Sequence, residues 1–502
     1  MTQYTQEQQN VIKGAAILRP GQAQRVMAFA GSGKTTTLKG VAEQLRGTVS
    51  YLAFNREIAR EAQAKFRGTN TKASTMHSLA IGAVRSLMTE PPLSSVQARE
   101  IVQSDAFKKA KFPATTGWNP FRLSLAVART MVHFAHSDSA GFAPEHAKKA
   151  IIDALGDPRL MKAGPQQRRA QAAIERLAEP LARVARDIWV EMERAGRFTH
   201  DMYLKRLDWS EKARLAAFDG FSALMIDEAQ DINPVQRSIL IKTGLPLVAV
   251  GDPYQQIYSW RGAENALDKL PGSVFHLTQS FRFAEPIAAL ARGILKSRPD
   301  GGPSQRLIGA GTGNAGGHTG IPWAVICRTN IGVIDAALDF LNDGYPMRVD
   351  NIEGLLKDLR SAEALFSGEL DKVESPEFRV FNSWTELKEE AEEGSQTLKK
   401  IVQMVERKRV KAVAALAKVQ RQGGGGPPPQ VFLCTAHRAK GLEFPRVTLG
   451  GDWKTLSQMQ ARYFKAAAGP QKTLAMEEWN ALYVASTRAM VSLQGLETIM
   501  GA

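Results

Sequence analysis

Short apolar runs alternate with segments of helical periodicity near the start of the chain. The run "QRVMAFA" predicts a β-strand, and "KTTTLKGVAEQL" has apolar residues at the spacing of an amphipathic helix. "TVSYLAFN" predicts a second strand and "REIAREAQAKF" a second helix. This alternation is typical of a parallel sheet, in which functional residues lie at the carboxyl ends of the strands.

The same alternation recurs later in the chain and is interrupted by long helical segments. "FSALMIDEAQD", "LPLVAVGDPYQ", "IPWAVICRTN" and "QVFLCTAH" predict further strands, and a second α/β unit begins near "VFHLTQSFR". The pattern predicts an α/β fold of two parallel-sheet domains, each with a helical insertion. The predicted boundaries are 1–79 with 219–272 for the first domain, 80–218 for its insertion, 273–351 with 430–502 for the second domain, and 352–429 for a shorter insertion ending in the linker "GGGGPPP".

The chain of 502 residues carries 65 Lys and Arg against 50 Asp and Glu, a formal net charge of +15. An excess of this size favours a polyanionic partner, nucleic acid first, with a merely soluble basic surface as the alternative. The two cysteines, Cys327 and Cys434, lie in apolar runs and have neither disulfide-framework nor zinc-site spacing. They predict buried free thiols in a reducing compartment.

The N-terminus "MTQYTQEQQNVIKGAA" lacks the basic and then apolar layout of a signal peptide. The sequence has no uninterrupted apolar run of about eighteen residues. We therefore expect a cytoplasmic protein of a bacterial or phage-like cytosol, associated with the nucleoid. Fourteen residues follow Arg488, so we expect no fused nuclease domain or C-terminal partner-binding tail.

The segment "AFAGSGKTTT", residues 28–37, follows the first strand and opens the first helix, which is the context that a phosphate-binding loop requires. Backbone N–H groups of residues 31–35 would surround the phosphates, aided by the helix dipole. Lys34 would contact the β- and γ-phosphates of ATP, and the Thr35 hydroxyl would bind Mg²⁺. The predicted ATP-binding residues of the loop are Ala30, Gly31, Ser32, Gly33, Lys34, Thr35 and Thr36.

The segment "LMIDEAQD" is an apolar strand that ends in Asp227 and Glu228. Asp227 would hold Mg²⁺ beside Thr35, and Glu228 would polarise the attacking water. Two acids after a strand also occur in ordinary solvated turns. Their combination with the glycine-rich loop is what favours ATP hydrolysis.

The segment "GDPYQQIYSWRGA", residues 251–263, places Gln255, Tyr258, Trp260 and Arg261 in a polar loop after another predicted strand. Exposed aromatic rings beside a nucleotide site can stack on unpaired bases irrespective of sequence. The alternative is that Tyr258 and Trp260 pack in the core.

A series of segments, taken in order, resembles the UvrD/Rep/PcrA-like helicases of superfamily 1, in their 3′-to-5′ branch. The segments span nearly the whole chain and are "YTQEQQNVI", "AFAGSGKTT", "YLAFNREIA", "TMHSLA", "LMIDEAQDINPVQ", "VAVGDPYQQIYSWRGA", "LTQSFRF", "TAHRAKGLEFPRV" and "EEWNALYVASTRA". Within that branch, "LAFNREIA" and "FTHDMYLKRL" resemble the helicase portion of the F-box DNA helicase family. The resemblance implies two RecA-like P-loop domains that share one ATP.

The resemblance also implies roles for residues around the nucleotide. Gln8 would read the adenine edge, Glu443 would accept a hydrogen bond from a ribose hydroxyl, and Tyr483 would stack near the base. Gln255 would sense the γ-phosphate, which arginine fingers from the second domain would also contact. The implied catalytic residues are Lys34, Asp227, Glu228, Gln255, Arg282 and Arg488.

For a DNA track, the resemblance implies phosphate and stacking contacts without base readout. The implied DNA-binding residues are Asn55, Thr75, His77, Tyr258, Trp260, Thr435, His437 and Lys440. Gln230 would link the nucleotide site to the DNA-contacting loops. The chain departs from the family pattern at Phe54, which directly precedes Asn55 instead of standing two residues before it.

The leading hypothesis is an ATP- and Mg²⁺-dependent 3′-to-5′ translocase and DNA helicase that acts on single-stranded and 3′-tailed duplex DNA, in repair or recombination. The second insertion is much shorter than in the larger relatives, so the alternative is a motor with weak unwinding. Such a motor would strip proteins from single-stranded DNA or drive a recombination or anti-phage complex. A third hypothesis is a nucleotide-dependent module that clamps DNA without stepping.

Overall fold

The computed structural model describes every residue except 1–2, 114–117, 160, 162, 260–261, 313–319, 394–395, 408–409, 412, 415–416, 418–427, 467–469 and 502. The chain divides into two compact units, Met1–Gln279 and Ser280–Ala502. Residues 423–427 of the predicted linker lie outside the described part of the chain.

The first unit is built on a six-stranded parallel sheet. Its strands are β1 (Ala23–Ala28), β2 (Thr48–Ala53), β3 (Thr71–Thr75), β4 (Phe221–Ile226), β5 (Leu247–Gly251) and β6 (Ser273–Leu277). They pair in the order β3-β2-β4-β5-β1-β6. Every residue of β5 is buried, as expected for a central strand with both faces covered. The predicted α/β class with a parallel sheet is confirmed.

The pairing of β6 places the boundary between the two units later in the chain than the sequence pattern predicts. The apolar pattern assigns residues from 273 onward to the second domain, but β6 pairs in parallel with β1, from Gln24 opposite Ser273 to Ala28 opposite Leu277. The first unit therefore extends to Gln279 and not to residue 272. The prediction differs because strand pairing is a non-local contact, which a short apolar run does not specify.

Helices flank this sheet and make up the long segment between β3 and β4. Several begin at a side chain that accepts a hydrogen bond from a first-turn N–H group, among them Thr5, Asn55, Thr75 and Thr199. The helices of the first unit are α1 (Gln6–Ala16), α2 (Lys34–Gln44), α3 (Arg56–Lys65), α4 (Met76–Val84), α5 (Ala98–Gln103), α6 (Asp105–Lys109), α7 (Pro120–His136), α8 (Pro144–Leu155), α9 (Pro165–Arg194), α10 (His200–Trp209), α11 (Glu211–Phe218), α12 (Pro234–Lys242) and α13 (Ala266–Lys269).

An aromatic cluster lies at the centre of the helical segment. The Phe134 ring is fully buried and packs at 5.2 Å from Trp189 and 5.5 Å from Trp209, measured between ring centroids. The Lys205 ammonium lies 5.0 Å from the Phe134 ring and donates to the carbonyls of Ser137 and Ser139. Burial lowers the pKa of Lys205 to about 8. Lys205 thus links two backbone carbonyls by hydrogen bonds inside an apolar core.

The second unit is built on a five-stranded parallel sheet. Two-residue strands β7 (Gln279–Ser280) and β8 (Ile308–Gly309) precede it in the chain. Its strands are β9 (Trp323–Cys327), β10 (Met347–Val349), β11 (Val431–Thr435), β12 (Phe444–Leu449) and β13 (Ala489–Gln494). They pair in the order β10-β11-β9-β12-β13.

The helices of the second unit include those between β10 and β11, where the second insertion is predicted. They are α14 (Glu285–Lys296), α15 (Asn330–Asn342), α16 (Ile352–Phe366), α17 (Trp384–Glu393), α18 (Gln396–Glu406), α19 (Ala436–Ala439), α20 (Leu456–Lys465), α21 (Pro470–Ser486) and α22 (Leu496–Met500). Across the described residues of both units, no helix combines the length and apolarity that crossing a membrane requires.

A buried carboxylate ties together the elements that follow β9 and β12. Glu478 on α21 accepts from the Arg328 guanidinium, from Lys454 at 3.1 Å and from Arg462 at 3.0 Å. Burial by itself raises the pKa of Glu478, but the surrounding cations lower it to about 2. Three cations on one carboxylate fix the loop after β9 against α20 and α21.

Both cysteines are buried free thiols, as predicted. Cys327 ends β9, and Cys434 lies in the neighbouring strand β11. Burial raises the pKa of each thiol. The thiolate forms are therefore disfavoured, and the two side chains act as small apolar groups.

Replacement of Phe134 by Ala is expected to lower the free energy of unfolding by about 3–5 kcal/mol, because it leaves a cavity in a fully buried cluster. Urea denaturation followed by tryptophan fluorescence measures the loss. Val132→Ala is the control, because Val132 lies on the same helix but is 39% exposed. It should change the free energy of unfolding by about 0.5 kcal/mol or less. Similar losses in both variants would contradict a central role for Phe134.

Candidate active site

The glycine-rich loop connects the end of β1 to the start of α2. Gly31 and Gly33 have φ values of 73° and 76°, in the left-handed region that favours glycine. The Ser32 N–H donates to the Phe29 carbonyl at 3.2 Å, which curls the loop around the start of the helix. The predicted residues 30–36 therefore lie in one loop at a helix N-terminus, an arrangement that favours anions.

The Ser32 hydroxyl tests whether this loop fits a ligand. Its Oγ is buried and has no hydrogen-bond partner within the part of the chain that the structure describes. An orphaned hydroxyl in a protein interior is costly unless a ligand or water satisfies it. The loop therefore fits a phosphate group, whose oxygens would accept this hydrogen bond.

Two acidic residues follow β4, as predicted. The Asp227 carboxylate accepts from the Tyr51 hydroxyl at 2.8 Å and from the Glu228 N–H at 2.9 Å. Burial raises the pKa of Asp227, the Glu228 carboxylate raises it further, and Lys34 and the Tyr51 hydrogen bond lower it. A cation near Asp227 would stabilise the ionised form. Tyr51 was missed by sequence reasoning because it lies in an apolar strand.

Glu228 adopts a left-handed backbone conformation, with φ of 54°. For a residue other than glycine this conformation costs on the order of 1 kcal/mol. It accompanies an ion pair in which the Glu228 Oε1 lies 3.6 Å from the Lys34 Nζ. The structure thus brings the loop lysine and the second acid together, although 193 positions separate them in the sequence.

A hydrogen-bonded chain runs from Glu228 to the segment after β5. The Gln230 Nε2 donates to Glu228 at 2.6 Å, and its Oε1 accepts from the Asp252 N–H at 3.0 Å. The Asp252 carboxylate in turn accepts from the Gln255 Nε2 at 2.7 Å. Gly251 is required here, since a Cβ would lie 2.2 Å from the Gln230 Oε1.

Asp252 is a second buried acid that sequence reasoning missed. It has no exposed surface, and burial raises its pKa while Lys34 opposes the rise. The available signal is its place as the first charged residue after β5, the same position that Asp227 holds after β4. Both acids thus lie at the carboxyl edge of the sheet.

The residues present suit Mg²⁺ as a shared ligand of protein and nucleotide. Within the described ranges, no cluster of three His, Cys, Asp or Glu side chains could hold a metal alone. Mg²⁺ typically takes one or two protein oxygens and completes its shell with phosphates and water. The predicted pair, the Thr35 hydroxyl at the start of α2 and the Asp227 carboxylate, supplies that kind of donor.

Gln8 lies in the first turn of α1 and is 4% exposed. Its Oε1 accepts from the Thr5 N–H at 3.0 Å, and its own N–H donates to the Thr5 hydroxyl, which forms a capping box. The Oε1 is therefore engaged in holding the helix start. Recognition of an adenine edge by Gln8 stays a prediction that would use the Nε2 group.

Three predicted DNA contacts lie where β2 and β3 end. Asn55 caps α3 by accepting from the Ile58 N–H at 2.8 Å, and Thr75 caps α4 by accepting from the Ser78 N–H at 3.1 Å. His77 lies in the first turn of α4, and burial lowers its pKa. The N-caps of two helices and the His77 imidazole thus share one edge of the sheet.

An aromatic pair lies beside these residues. The Phe54 ring stacks on the Tyr258 ring with centroids 5.7 Å apart and an interplanar angle of 15°. Phe54 is 41% exposed, so it can still accept a stacking partner. The predicted stacking residue Trp260 and its neighbour Arg261 lie outside the described residues.

In the second unit, Arg282 is bound by internal acceptors. Its guanidinium donates to the Glu443 Oε1 at 2.7 Å and to the Thr487 carbonyl at 3.0 Å. The structure therefore brings together two predicted site residues, Arg282 and Glu443. Their predicted contacts to the γ-phosphate and the ribose would require at least partial exchange of this ion pair.

Arg488 and Tyr483 are more deeply buried than their predicted roles require. Arg488 is 1% exposed and donates to the carbonyls of Val484 and Leu442. Tyr483 has no exposed surface. A finger role for Arg488 and a stacking role for Tyr483 stay predictions, and each would need the side chain to become accessible.

The remaining predicted DNA contacts lie where β11 ends. Thr435 is the last residue of β11 and directly precedes α19, which contains His437. Lys440 follows the helix as its C-cap residue. The three residues thus surround one helical turn at the carboxyl end of a central strand.

Two protein-family models match the chain. Residues 9–268 match the UvrD/REP helicase N-terminal domain. Residues 171–494 match the UvrD-like helicase C-terminal domain. The two matches together extend over nearly the entire chain.

Similar proteins carry helicase names. F-box DNA helicase 1 of Gallus gallus is 28% identical over 99% of this chain and 49% of its own length. F-box DNA helicase protein 1 of Schizosaccharomyces pombe is 27% identical over 99% of this chain and 57% of its own length. The putative ATP-dependent DNA helicase YjcD of Bacillus subtilis is 34% identical over 19% of the chain. The chain spans about half the length of the first two relatives.

Tyr51→Phe is expected to shift the acid limb of the pH profile for Mg²⁺·ATP binding to higher pH. The Tyr51 hydrogen bond lowers the pKa of Asp227, so its loss raises that pKa, and Mg²⁺ binds the ionised carboxylate. Nucleotide titrations across the pH range measure the shift, with the half-exposed Tyr345→Phe as control. Coincident profiles for Tyr51→Phe and the wild type would contradict this role.

Proposed function

The chain belongs to the UvrD-like helicase family, and we propose that it is an ATP-dependent DNA helicase that moves 3′ to 5′ along single-stranded DNA. The Lys34–Glu228 ion pair is the single observation that carries the proposal most directly. It joins the lysine of the phosphate-binding loop to the acid that would activate water. Neither an ordinary glycine turn nor an ordinary acidic turn requires that pairing.

ATP would enter with its phosphates in the glycine-rich loop. Lys34 would exchange its contact with Glu228 for the β- and γ-phosphates, which frees the carboxylate to orient the attacking water. Mg²⁺, held by Thr35 and Asp227, would supply charge neutralisation to the phosphates. Glu228 would accept the proton of the water as the bond from the water oxygen to the γ-phosphorus forms and the bond to the β–γ bridging oxygen breaks, which releases ADP and phosphate.

The chain from Glu228 through Gln230 and Asp252 to Gln255 would couple this chemistry to DNA. Gln255 lies three residues before Tyr258 in the chain, and the Tyr258 ring stacks on the Phe54 ring. A change at Glu228 on phosphate release would be transmitted through short hydrogen bonds as far as Gln255, and from there along the backbone to the aromatic pair. We propose that this linkage advances the strand on which the aromatic residues stack.

Arg282 and Arg488 are proposed to stabilise the negative charge that develops on the transferred phosphoryl group. For Arg282, the internal partner is an exchangeable carboxylate, Glu443. Release of that pair when ATP is bound would make the guanidinium available. Its positive charge would then be used only in the nucleotide-bound state.

A second candidate keeps the motor but assigns weak unwinding. The predicted second insertion, residues 352–429, is short, and α16 to α18 lie within it. A small insertion offers little surface for duplex DNA, which favours translocation and removal of bound proteins over strand separation. Displacement of a protein from single-stranded DNA without displacement of a duplex strand would support this candidate.

Lys34→Ala and Glu228→Gln are each expected to reduce ATP hydrolysis by at least about a hundredfold, because they remove phosphate charge neutralisation and the general base. Phosphate release with and without single-stranded DNA measures the loss. Lys39→Ala, on the same helix beyond the loop, is the matched control and should retain activity. Turnover at the wild-type rate in either site variant would refute the assignment, and absence of DNA stimulation in the wild type would favour a clamp.

Strand displacement is expected on duplexes with a 3′ single-stranded tail and to be at least about tenfold slower with a 5′ tail, because loading on a strand of one polarity fixes the direction of stepping. Gel analysis of the two substrates in the presence of Mg²⁺ and ATP measures the ratio. Lys34→Ala protein provides the no-hydrolysis control. Preference for the 5′ tail would overturn the proposed polarity while leaving the helicase proposal intact.

A further inference from the structure

Three arginines line one side of α3 and the turn that follows it. Arg56 and Arg60 are one helical turn apart, and Arg67 follows the helix end. All three are exposed. At about 1.5 Å of rise per residue they extend over roughly 16 Å. We call these residues the arginine stripe.

The arginine stripe carries positive charge without matching carboxylates. None of its three guanidinium groups forms an ion pair with any residue of the described chain, whereas Lys65 on another side of α3 pairs with Glu61 at 3.7 Å. Glu57 lies one helical turn before Arg60 on α3, yet within the described chain its carboxylate forms no ion pair with a stripe guanidinium, and Glu61 pairs with Lys65 instead. The stripe therefore presents a charge available to an external anion.

One end of the stripe adjoins the predicted DNA contacts. Arg56 directly follows Asn55. Burial lowers the pKa of His77 and raises the pKa of Tyr203, and the Arg56 charge adds to the first shift and opposes the second. Arg56 therefore lies near both rings. A DNA strand that contacts Asn55 and His77 would continue onto the arginine stripe along the same surface of the first unit.

The other end of the stripe borders a hollow of about 430 Å³. Its lining includes Arg60, Gln63, Arg67, Thr69 and Thr71. The Gln63 Oε1 accepts from the Ala73 N–H at 3.1 Å, which docks α3 on β3 at the edge of the sheet. The hollow therefore lies between α3, the turn that follows it and the start of β3.

A buried hydroxyl in this hollow has no partner. Thr71 is 5% exposed, and its Oγ1 finds no hydrogen-bond partner among the residues that the structure describes. A buried hydroxyl normally has one. With two guanidinium groups on the same hollow, the missing partner is best matched by an anionic oxygen acceptor.

We propose that the arginine stripe binds the phosphate backbone of DNA, with one phosphate seated in the hollow between Arg60, Arg67 and the Thr71 hydroxyl. The inference rests on the proposed function and extends its DNA footprint along α3, away from the nucleotide loop. Arginine suits this role because its planar donors bind phosphate in pairs. The contacts carry no base information, so they would add affinity irrespective of sequence.

The test compares two triple variants of equal net charge. The stripe variant carries Arg56→Gln, Arg60→Gln and Arg67→Gln. The control carries Lys65→Gln, Lys109→Gln and Lys148→Gln, which removes three lysines of the same unit that are paired with neighbouring carboxylates. Fluorescence anisotropy with a single strand of about 30 nucleotides, longer than one binding groove requires, measures the dissociation constant at several salt concentrations.

The stripe variant is expected to bind at least about tenfold more weakly, and the slope of log affinity against log salt should fall by about 2. The control should change affinity less than about twofold, since its lysines do not lie on the DNA path. Thr71→Val, which removes the hydroxyl and keeps the shape, should weaken binding about threefold without lowering thermal stability.

Equal losses in the two triple variants would show a general charge effect and overturn the stripe. Wild-type affinity in the stripe variant, with DNA-stimulated hydrolysis intact, would overturn the stripe alone and leave the proposed function standing. If the stripe variant lost binding of inorganic phosphate but kept its DNA affinity, the hollow would be a site for a free anion, and the proposed DNA contact would be overturned. A wild-type protein that binds no DNA would overturn both proposals.

Discussion

The candidate active site depends on the parallel register of β4, β5 and β1 at the centre of the first sheet. Val26 lies opposite Val250, and Ile226 lies opposite Ala249, so the three strands end at one edge. The glycine-rich loop, the acidic pair and the Asp252–Gln255 segment each begin where a strand stops. A slip of one residue in either pairing would turn side chains to the opposite face of the sheet. The register therefore determines which distant residues meet.

Desolvation sets the electrostatics at that edge. Asp227 and Asp252 are both buried, and burial raises the pKa of each, while Lys34 acts against both rises. The positive charge of Lys34, which is partly buried, thus favours the ionised forms of both carboxylates. Such a site has a deficit of positive charge that Mg²⁺ would offset, and an anionic nucleotide alone would increase it. The arrangement favours joint binding of metal and nucleotide over binding of either one.

Two groups of arginines, Arg282 with Arg488 and the arginine stripe, differ in how their donors are used. In the second unit, Arg282 and Arg488 donate to Glu443 and to backbone carbonyls, so their charges are held inside the fold. In the first unit, the arginine stripe on α3 has no ion-pair partner in the described chain. An arginine with internal acceptors must exchange them before it can act on a ligand, which suits a conditional role. An arginine without them is available at all times, which suits binding to a polyanion.

Local pattern determined the parts of this protein that depend on neighbouring residues. The sequence alone predicted β1, β2, β4 and β5, the phosphate-binding loop with Lys34, and the acids Asp227 and Glu228, because each rests on a short periodicity or a motif. Tertiary structure decided that β6 belongs to the first sheet, that Glu228 takes a left-handed conformation facing Lys34, and that Asp252 is a buried acid. It also decided that an orphaned Thr71 hydroxyl shares a hollow with two arginines. These outcomes depend on strand pairing and desolvation, which join residues far apart in the chain and leave no periodic signal in the sequence.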